Sequence, residues 1–286
     1  MRRRPAAARW SSLVPPAALS PAVSAQASPP AALPPSSLLW EQAAWFAPAR
    51  SRLLRRVRIA DRQRILDIAC GPGAVTCELA ARCAPEGAVI ALDRSRAALV
   101  EFAASGREGS DLRCKTAPVQ PIHGDAHRLP FADHTFDLAF CQFALLWLDA
   151  PAVVAELARV LSPGGAVVAI EPDYDGMIEY PPEVVTGPLW RAGLARAGAT
   201  PDIGRRLPGL FSAAGFRVHV QLLDRLLPPA PARFELLRGL PLTCEERARL
   251  DQVAASTAAS SHPTVVHLPL FLLTAELGSS VQQCTE

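Results

Sequence analysis

A glycine turn and two aspartates are spaced so that they could act on one ligand. The run ILDIACGPGAVT, residues 65–76, is apolar up to Cys70 and then turns on Gly71-Pro72-Gly73. Gly71 and Gly73 carry no Cβ, so a ligand can approach the backbone closely, and N–H groups at the start of a following helix would point at it. Asp93 ends the next apolar run, VIALD. From the end of a second strand, an acidic side chain can accept hydrogen bonds from a ribose hydroxyl. Together these residues imply a ribose-bearing ligand.

Asp67 bears on the charge of that ligand. A dinucleotide site wants a third small residue in G-x-G-x-x-G/A, so that the helix packs tightly beside the pyrophosphate. Here the run is Gly71-Pro72-Gly73-Ala74-Val75-Thr76, and the third position fails. Asp67 also lies inside the first strand, where its charge would repel a pyrophosphate and attract a cation. S-adenosylmethionine meets both conditions, having a ribose, a sulfonium and an ammonium group but no phosphate.

The elements needed to hold these residues alternate along the chain. Ile65–Cys70, Val89–Asp93, Pro121–Gly124, Phe136–Phe143 and Ala166–Ile170 read as strands, apolar throughout, with helices over Val75–Cys83, about 95–104 and DAPAVVAELARVL. Asp149 is placed to cap the last of these helices, Pro151 falls in its first turn, and Ser162–Gly165 ends it. Apolar strands alternating with helices predict a parallel sheet covered on both faces. Phe216–Leu223 and Val265–Leu277 read as an antiparallel pair finishing the sheet, which requires Pro269 at a strand entry. Between them, TCEE at Thr243–Glu246 has capping-box spacing. A helix begins near Ser37, and Arg50, Arg52, Arg55, Arg56 and Arg58 read as its solvated face.

ILDIACGPG, VIALD, GDAHRLPFADHTFDLAF and ELARVLSPGG stand in the order and spacing of class I S-adenosylmethionine-dependent methyltransferases. The chain most resembles the type-11 group, which includes the ubiquinone and menaquinone C-methyltransferases, over about residues 60–175. Weaker similarity extends to DIGRRLPGLFSAAGF and the closing VVHLPLFLLTAEL. The resemblance implies a doubly wound, Rossmann-like α/β fold, with a mostly parallel seven-stranded sheet and an antiparallel C-terminal strand. It also implies S-adenosyl-L-methionine as cofactor. Asp67 and the backbone of Ala69, Gly71 and Gly73 would line the methionine portion. Asp93 would hold the ribose hydroxyls, with Arg94 flanking the adenine. Asp125 would accept from the adenine amino group, Ala126 would lie against the ring, and Gln142 and Phe143 would border the sulfonium. Ala69 departs from the pattern, which usually has glycine there.

The acceptor is less legible. Methyl transfer from a sulfonium is an in-line displacement helped by alignment and exclusion of water, so it needs no nucleophilic side chain, and the sequence names no catalytic residue. A general base is needed only for an acceptor that arrives protonated with a high pKa, and Glu171, Asp173, Asp175, His123, His127 and Tyr174 are the candidates at the sheet mouth; the run EPDYD reads as acceptor contact or as loop capping. CQFALLW after the fourth strand lacks the Asn/Asp-Pro-Pro-Tyr/Phe motif common in methylation of DNA-base or glutamine amino groups. This favours O-, C- or S-methylation of a small molecule. An RNA or protein methyltransferase and a cofactor-binding pseudoenzyme are the alternatives. Segments 172–206 and 225–264 would roof the acceptor, with Trp190 and Phe234 as walls or core residues. The helix with Trp40 and Trp45 would be a lid, whose deletion with residues 1–58 abolishes cofactor binding.

The bulk composition sets bounds. A formal charge of +2 does not imply nucleic acid as a partner, and no stretch is long and apolar enough for a membrane span. Seven cysteines without a C-x-x-C pair read as reduced thiols in a cytosol-like compartment, and no metal site is expected. Residues 1–36, rich in Pro, Ala and Ser, read as a disordered tail, with an organelle transit peptide as the alternative to a cytoplasmic location. Residues 37–286 would form the methyltransferase domain. Oligomeric state is not legible.

Overall fold

A computed structural model describes residues 34–105, 117–223, 232–261 and 263–278. The expected tail therefore lies almost wholly outside the described residues. Five strands, β1 (Arg64–Ile68), β2 (Ala88–Asp93), β3 (Val119–His123), β4 (Phe136–Gln142) and β5 (Leu161–Pro172), pair in parallel. Every residue of β2 is buried, as are Ile65 to Ile68 of β1, which is how a strand covered on both faces must be built. Two further strands, β7 (Phe216–Leu222) and β9 (Leu270–Leu277), complete a seven-stranded sheet of order β3-β2-β1-β4-β5-β9-β7, in which β9 alone runs antiparallel. The order reverses between β1 and β4, the place where open α/β sheets bind ligands beyond their strands' carboxyl ends.

The C-terminal run differs from the single strand expected. Val265–His267 forms a separate β8, paired with β6 (Ile178–Tyr180) in a small second sheet, and β9 begins after Pro269. Proline has no N–H for a ladder, so the run breaks there. β5 is also longer than expected, because a register shift between Phe136 and Leu138 takes Ser162–Gly165 into the start of the strand.

Helices cover both faces. On one side lie α1 (Ser36–Arg56) and α2 (Thr76–Arg82), with Phe46, Leu53, Leu54 and Leu79 buried against Ile65, Leu138 and Val168. α3 (Arg96–Ser105) follows β2. On the other side α4 (Ala150–Val160), α5 (Gly187–Arg196), α6 (Ile203–Ala213), α7 (Ala232–Arg238) and α8 (Cys244–Ala259) contribute Val153, Leu157, Trp190, Leu207, Leu237 and Leu250 to a second core. Asp149 caps α4 by accepting the Ala152 N–H, and Thr243 and Glu246 close a reciprocal capping box on α8, both as the spacing predicts. Among the described residues, no helix is long and apolar enough to cross a membrane. Cys70, Cys83, Cys141 and Cys244 are free thiols, but Cys77 is disulfide-bonded, which departs from the reading of all cysteines as reduced.

Candidate functional site

β1 ends where Ala69 swings into the left-handed region at φ +53°, and the turn continues through Gly71 at +55° and Gly73 at +82°. The two glycines serve different ends. A Cβ on Gly73 would lie 2.3 Å from the Phe102 ring of α3, so this glycine makes room for packing rather than for a ligand. A Cβ on Gly71 would meet nothing within 4 Å, which puts the open side of the turn there.

Three N–H groups of the turn itself are used within the protein. Gly71 donates to Asp93 Oδ2 at 2.8 Å, Gly73 donates to the Cys70 carbonyl at 3.0 Å, and Cys70 donates to the Leu92 carbonyl at 3.1 Å. The other oxygen of Asp93 accepts the Ser95 N–H at 2.7 Å. Asp93 is buried, and it ties the glycine turn to the start of α3. A pyrophosphate would find the Gly71 and Gly73 amides occupied and a carboxylate beside them.

Asp67 is 3% exposed, and its Oδ2 accepts the Thr76 hydroxyl at 2.6 Å. Burial pushes its carboxyl up to about 7; the Thr76 bond opposes this, the nearby Asp93 charge adds to it, and Arg50 draws it back. Arg50 is not on a solvated face as its neighbours suggested. It is 3% exposed; Nε and Nη2 donate to Glu78 Oε2 at 2.8 and 2.5 Å, and Nη1 to the Ala43 carbonyl and to Gln142 Oε1 at 2.9 and 3.1 Å. The signal lay in the spacing: Ala43, Phe46, Arg50, Leu53 and Val57 share one helical face. Arg52, Arg55, Arg56 and Arg58 are exposed as expected.

Gln142 ends β4, and Phe143 follows at φ +53° with its ring stacked on Phe46 at 5.3 Å. Non-glycine residues hold the left-handed conformation only when the surroundings impose it, and here Ala69 and Phe143 do so at the ends of adjacent strands. The same stack shows that α1 is more than a detachable lid. Leu53, Leu54 and Val57 are core residues, so deleting residues 1–58 would remove core packing as well as any cover.

At the end of β3, Asp125 is exposed and Ala126 is buried. Asp125 Oδ1 accepts the His127 backbone N–H at 2.9 Å and its ring Nδ1–H at 2.6 Å, while His127 Nε2 accepts the Asp149 N–H at 3.0 Å. Partial burial raises the Asp125 carboxyl, but the His127 bonds outweigh it and hold it below the usual carboxylate range. His127 is thus a loop-ordering residue. Arg94 is exposed, and its carbonyl is bonded to His123 Nε2 at 3.0 Å.

The acidic run after β5 is mostly structural. Glu171, fully buried, accepts the Ala144 and Leu145 N–H groups at 2.8 and 2.9 Å, and burial pushes its carboxyl up to about 7 against those bonds. Asp173 Oδ2 accepts from Arg205 Nε at 2.6 Å, and Asp175 lies 3.8 Å from Arg191. Tyr174 stacks on Trp190 at 5.0 Å, and Trp190 and Phe234 belong to the core on that side. A shallow depression of about 420 Å³ between Arg55, Arg58, Asp61 and Arg82 lies beside the residues that precede β1, away from the strands' carboxyl ends.

Asp67, Asp93, Asp125 and Gln142 therefore lie at or just beyond the carboxyl ends of four adjacent parallel strands. Residues 65–165 match the family described as methyltransferase domain. This segment is a domain of the class I S-adenosylmethionine-dependent methyltransferase type. An uncharacterized methyltransferase of Schizosaccharomyces pombe is 33% identical over 60% of this chain and 63% of its own length. The demethylmenaquinone methyltransferase of a Geobacillus species is 33% identical over 46% of this chain and 54% of its own. The chain thus spans a little over half of these relatives. Among solved structures, the YcgJ protein of Bacillus subtilis superposes with a TM-score of 0.59 at 16% identity, over 80% of this chain and 98% of that one. Phosphoethanolamine N-methyltransferase 2 of Haemonchus contortus, in complex with phosphomonomethylethanolamine and S-adenosylhomocysteine, superposes at 0.55 with 16% identity, over 85% and 57%.

Proposed function

We propose that this protein transfers the methyl group of S-adenosylmethionine to a small-molecule acceptor by in-line displacement. The observation that carries the reading is the pairing of two buried carboxylates, Asp67 and Asp93, with a glycine turn whose Gly71 and Gly73 amides are spent within the protein. Such a site disfavours a phosphate and favours a cation. Bound there, the cofactor supplies a methyl group on a positively charged sulfur.

The chain's own residues position and exclude. Asp67 attracts the cationic end, and the open side of Gly71 admits the backbone of the methionine portion. Asp93 keeps lone pairs beyond its two amide bonds for the ribose hydroxyls. The second oxygen of Asp125 serves the adenine amino group, with Ala126 against the ring and Arg94 beside it. Gln142 and Phe143 border the sulfonium; Arg50 fixes the first by hydrogen bonding and Phe46 fixes the second by stacking. Together they turn one face of the donor toward the roof formed by α5, α7 and α8. A small-molecule acceptor is supported by a relative named for demethylmenaquinone, and a protein of the same fold is bound to a phosphorylated amine.

The test is a calorimetric titration with S-adenosylhomocysteine and with NAD. Saturable binding of the first and none of the second is expected. Tighter binding of NAD would overturn the cofactor assignment.

A further inference from the structure

Arg233 is the one charged side chain of α7 that is buried, at 9% exposed, and among the described residues it has no hydrogen-bond partner for Nε or Nη2. Those two nitrogens form one edge of the guanidinium, the fork that matches the two oxygens of a carboxylate or phosphate. Arg50 shows the same edge in use, with Nε and Nη2 both on Glu78. In Arg233 the face of the group is covered by the Phe234 ring, 4.4 Å away, so the edge is what remains to be offered.

The nearest opposite charge does not fill it. Glu179 lies close enough to act on Arg233 electrostatically, but its oxygens accept the Thr186 N–H and hydroxyl at 2.8 and 2.7 Å and the Gly187 N–H at 2.7 Å. Burial also disfavours the charged guanidinium, since desolvation pulls its proton affinity below the ordinary arginine value. A buried cation without a partner is costly to the fold, and an arriving anion would relieve that cost. Phe234 and Leu237 of α7 belong to the same core as Trp190 and Tyr174, and α7 packs against α5 and α8, so Arg233 sits on the side of the sheet that the roof covers.

We propose that Arg233 binds an oxyanion of the methyl acceptor, a carboxylate or a phosphoryl group, through its Nε/Nη2 edge. This rests on the methyltransferase reading for the word acceptor, while the anion site itself does not. The experiment is NMR of the arginine Nε–H signals in the full chain, titrated with inorganic phosphate and with acetate at constant ionic strength set by chloride. The Arg233 signal is expected to shift saturably with at least one anion, while the Arg50 signal, already bonded to Glu78, stays still. Saturation by phosphate alone assigns a phosphoryl group, and saturation by acetate a carboxylate. Anion affinity of the variants is read by calorimetry, which needs no arginine signal: Arg233→Gln should weaken it at least about tenfold, and Arg233→Lys, which keeps the charge but loses the fork, should weaken it too. Absence of a saturable Arg233 shift with either anion overturns the proposal, as does an unchanged affinity in Arg233→Gln. S-adenosylhomocysteine binding is measured in the same samples. Its loss in the wild-type protein counts against the methyltransferase reading, and its retention without anion binding counts against the Arg233 site alone.

Discussion

Asp67 should make cofactor affinity depend on pH near neutrality. Its carboxyl is raised from 3.8 to about 7 by burial, so below pH 7 the site is mostly protonated and must release a proton before it can attract a cation. With that value, roughly a tenth of the sites are ionised at pH 6 and nine-tenths at pH 8. The affinity for S-adenosylhomocysteine, through its ammonium group, should then rise about tenfold over that interval, or about 1.4 kcal/mol. Below pH 6 it should fall by nearly tenfold per unit. Asp67→Asn keeps an acceptor for the Thr76 hydroxyl and removes the charge, so it should bind more weakly at pH 8 and lose the pH dependence. The same shift has a stability consequence of opposite sense. Because the folded state holds the proton more tightly than the unfolded chain, stability is greatest below the unfolded value and is lost as pH rises through about 7, by about 4 kcal/mol in all. Asp67→Asn should therefore melt higher than the wild type at pH 8 without ligand. The assay is calorimetry at four pH values with parallel thermal melts. A wild-type affinity flat between pH 6 and 8, or a pH dependence that survives in Asp67→Asn, would refute the assignment of Asp67 to the cationic end.

Glu171 follows the same logic without the ligand. Its carboxyl is raised from 4.5 to about 7, so Glu171→Gln should raise stability at pH 8 by up to about 3 kcal/mol and change little at pH 5, as read by denaturant unfolding. Gly73→Ala should cost about 2–4 kcal/mol, the sum of a left-handed φ forced on a Cβ and a contact at 2.3 Å with Phe102. Coupling Gly73→Ala to Phe102→Leu in a double-mutant cycle should recover the contact part and leave the φ part. Arg50→Met should destabilise by about 2–4 kcal/mol, because Glu78 Oε2 and Gln142 Oε1 lose their donor while Arg82 keeps only Glu78 Oε1, and Arg50→Lys should not restore the Glu78 fork; urea unfolding measures both.

The sheet was legible because its strands are apolar on both faces, and that pattern has few other solutions. That Asp93 and the glycine turn lie at the sheet's carboxyl ends was legible from the strand pattern, whereas Asp125 was reached through the family resemblance. Other features depend on contacts distant in sequence. Gly73 reads as a ligand-facing glycine until Phe102 is seen against it, and Arg50 reads as one of a row of solvated arginines until Glu78 and Gln142 close on it. Val265–Leu277 reads as one strand because hydrophobicity runs across Leu268 and Pro269, and only the missing proline N–H divides it between two sheets. The roles of Glu171 and Asp173, ordering the loop after β4 and pairing with α6, could not be told from acceptor contact by residue type alone.

Methyl transfer to a small molecule is the activity proposed for this protein. Its most direct test incubates the protein with methyl-labelled S-adenosylmethionine and three separate fractions: small-molecule extract, RNA and protein. Label is expected in a low-molecular-weight product that anion exchange retains, and that label should be lost in Asp93→Ala. Label found only in RNA or protein would contradict the acceptor class. No label in any fraction, from a protein that binds the cofactor, would contradict methyl transfer itself.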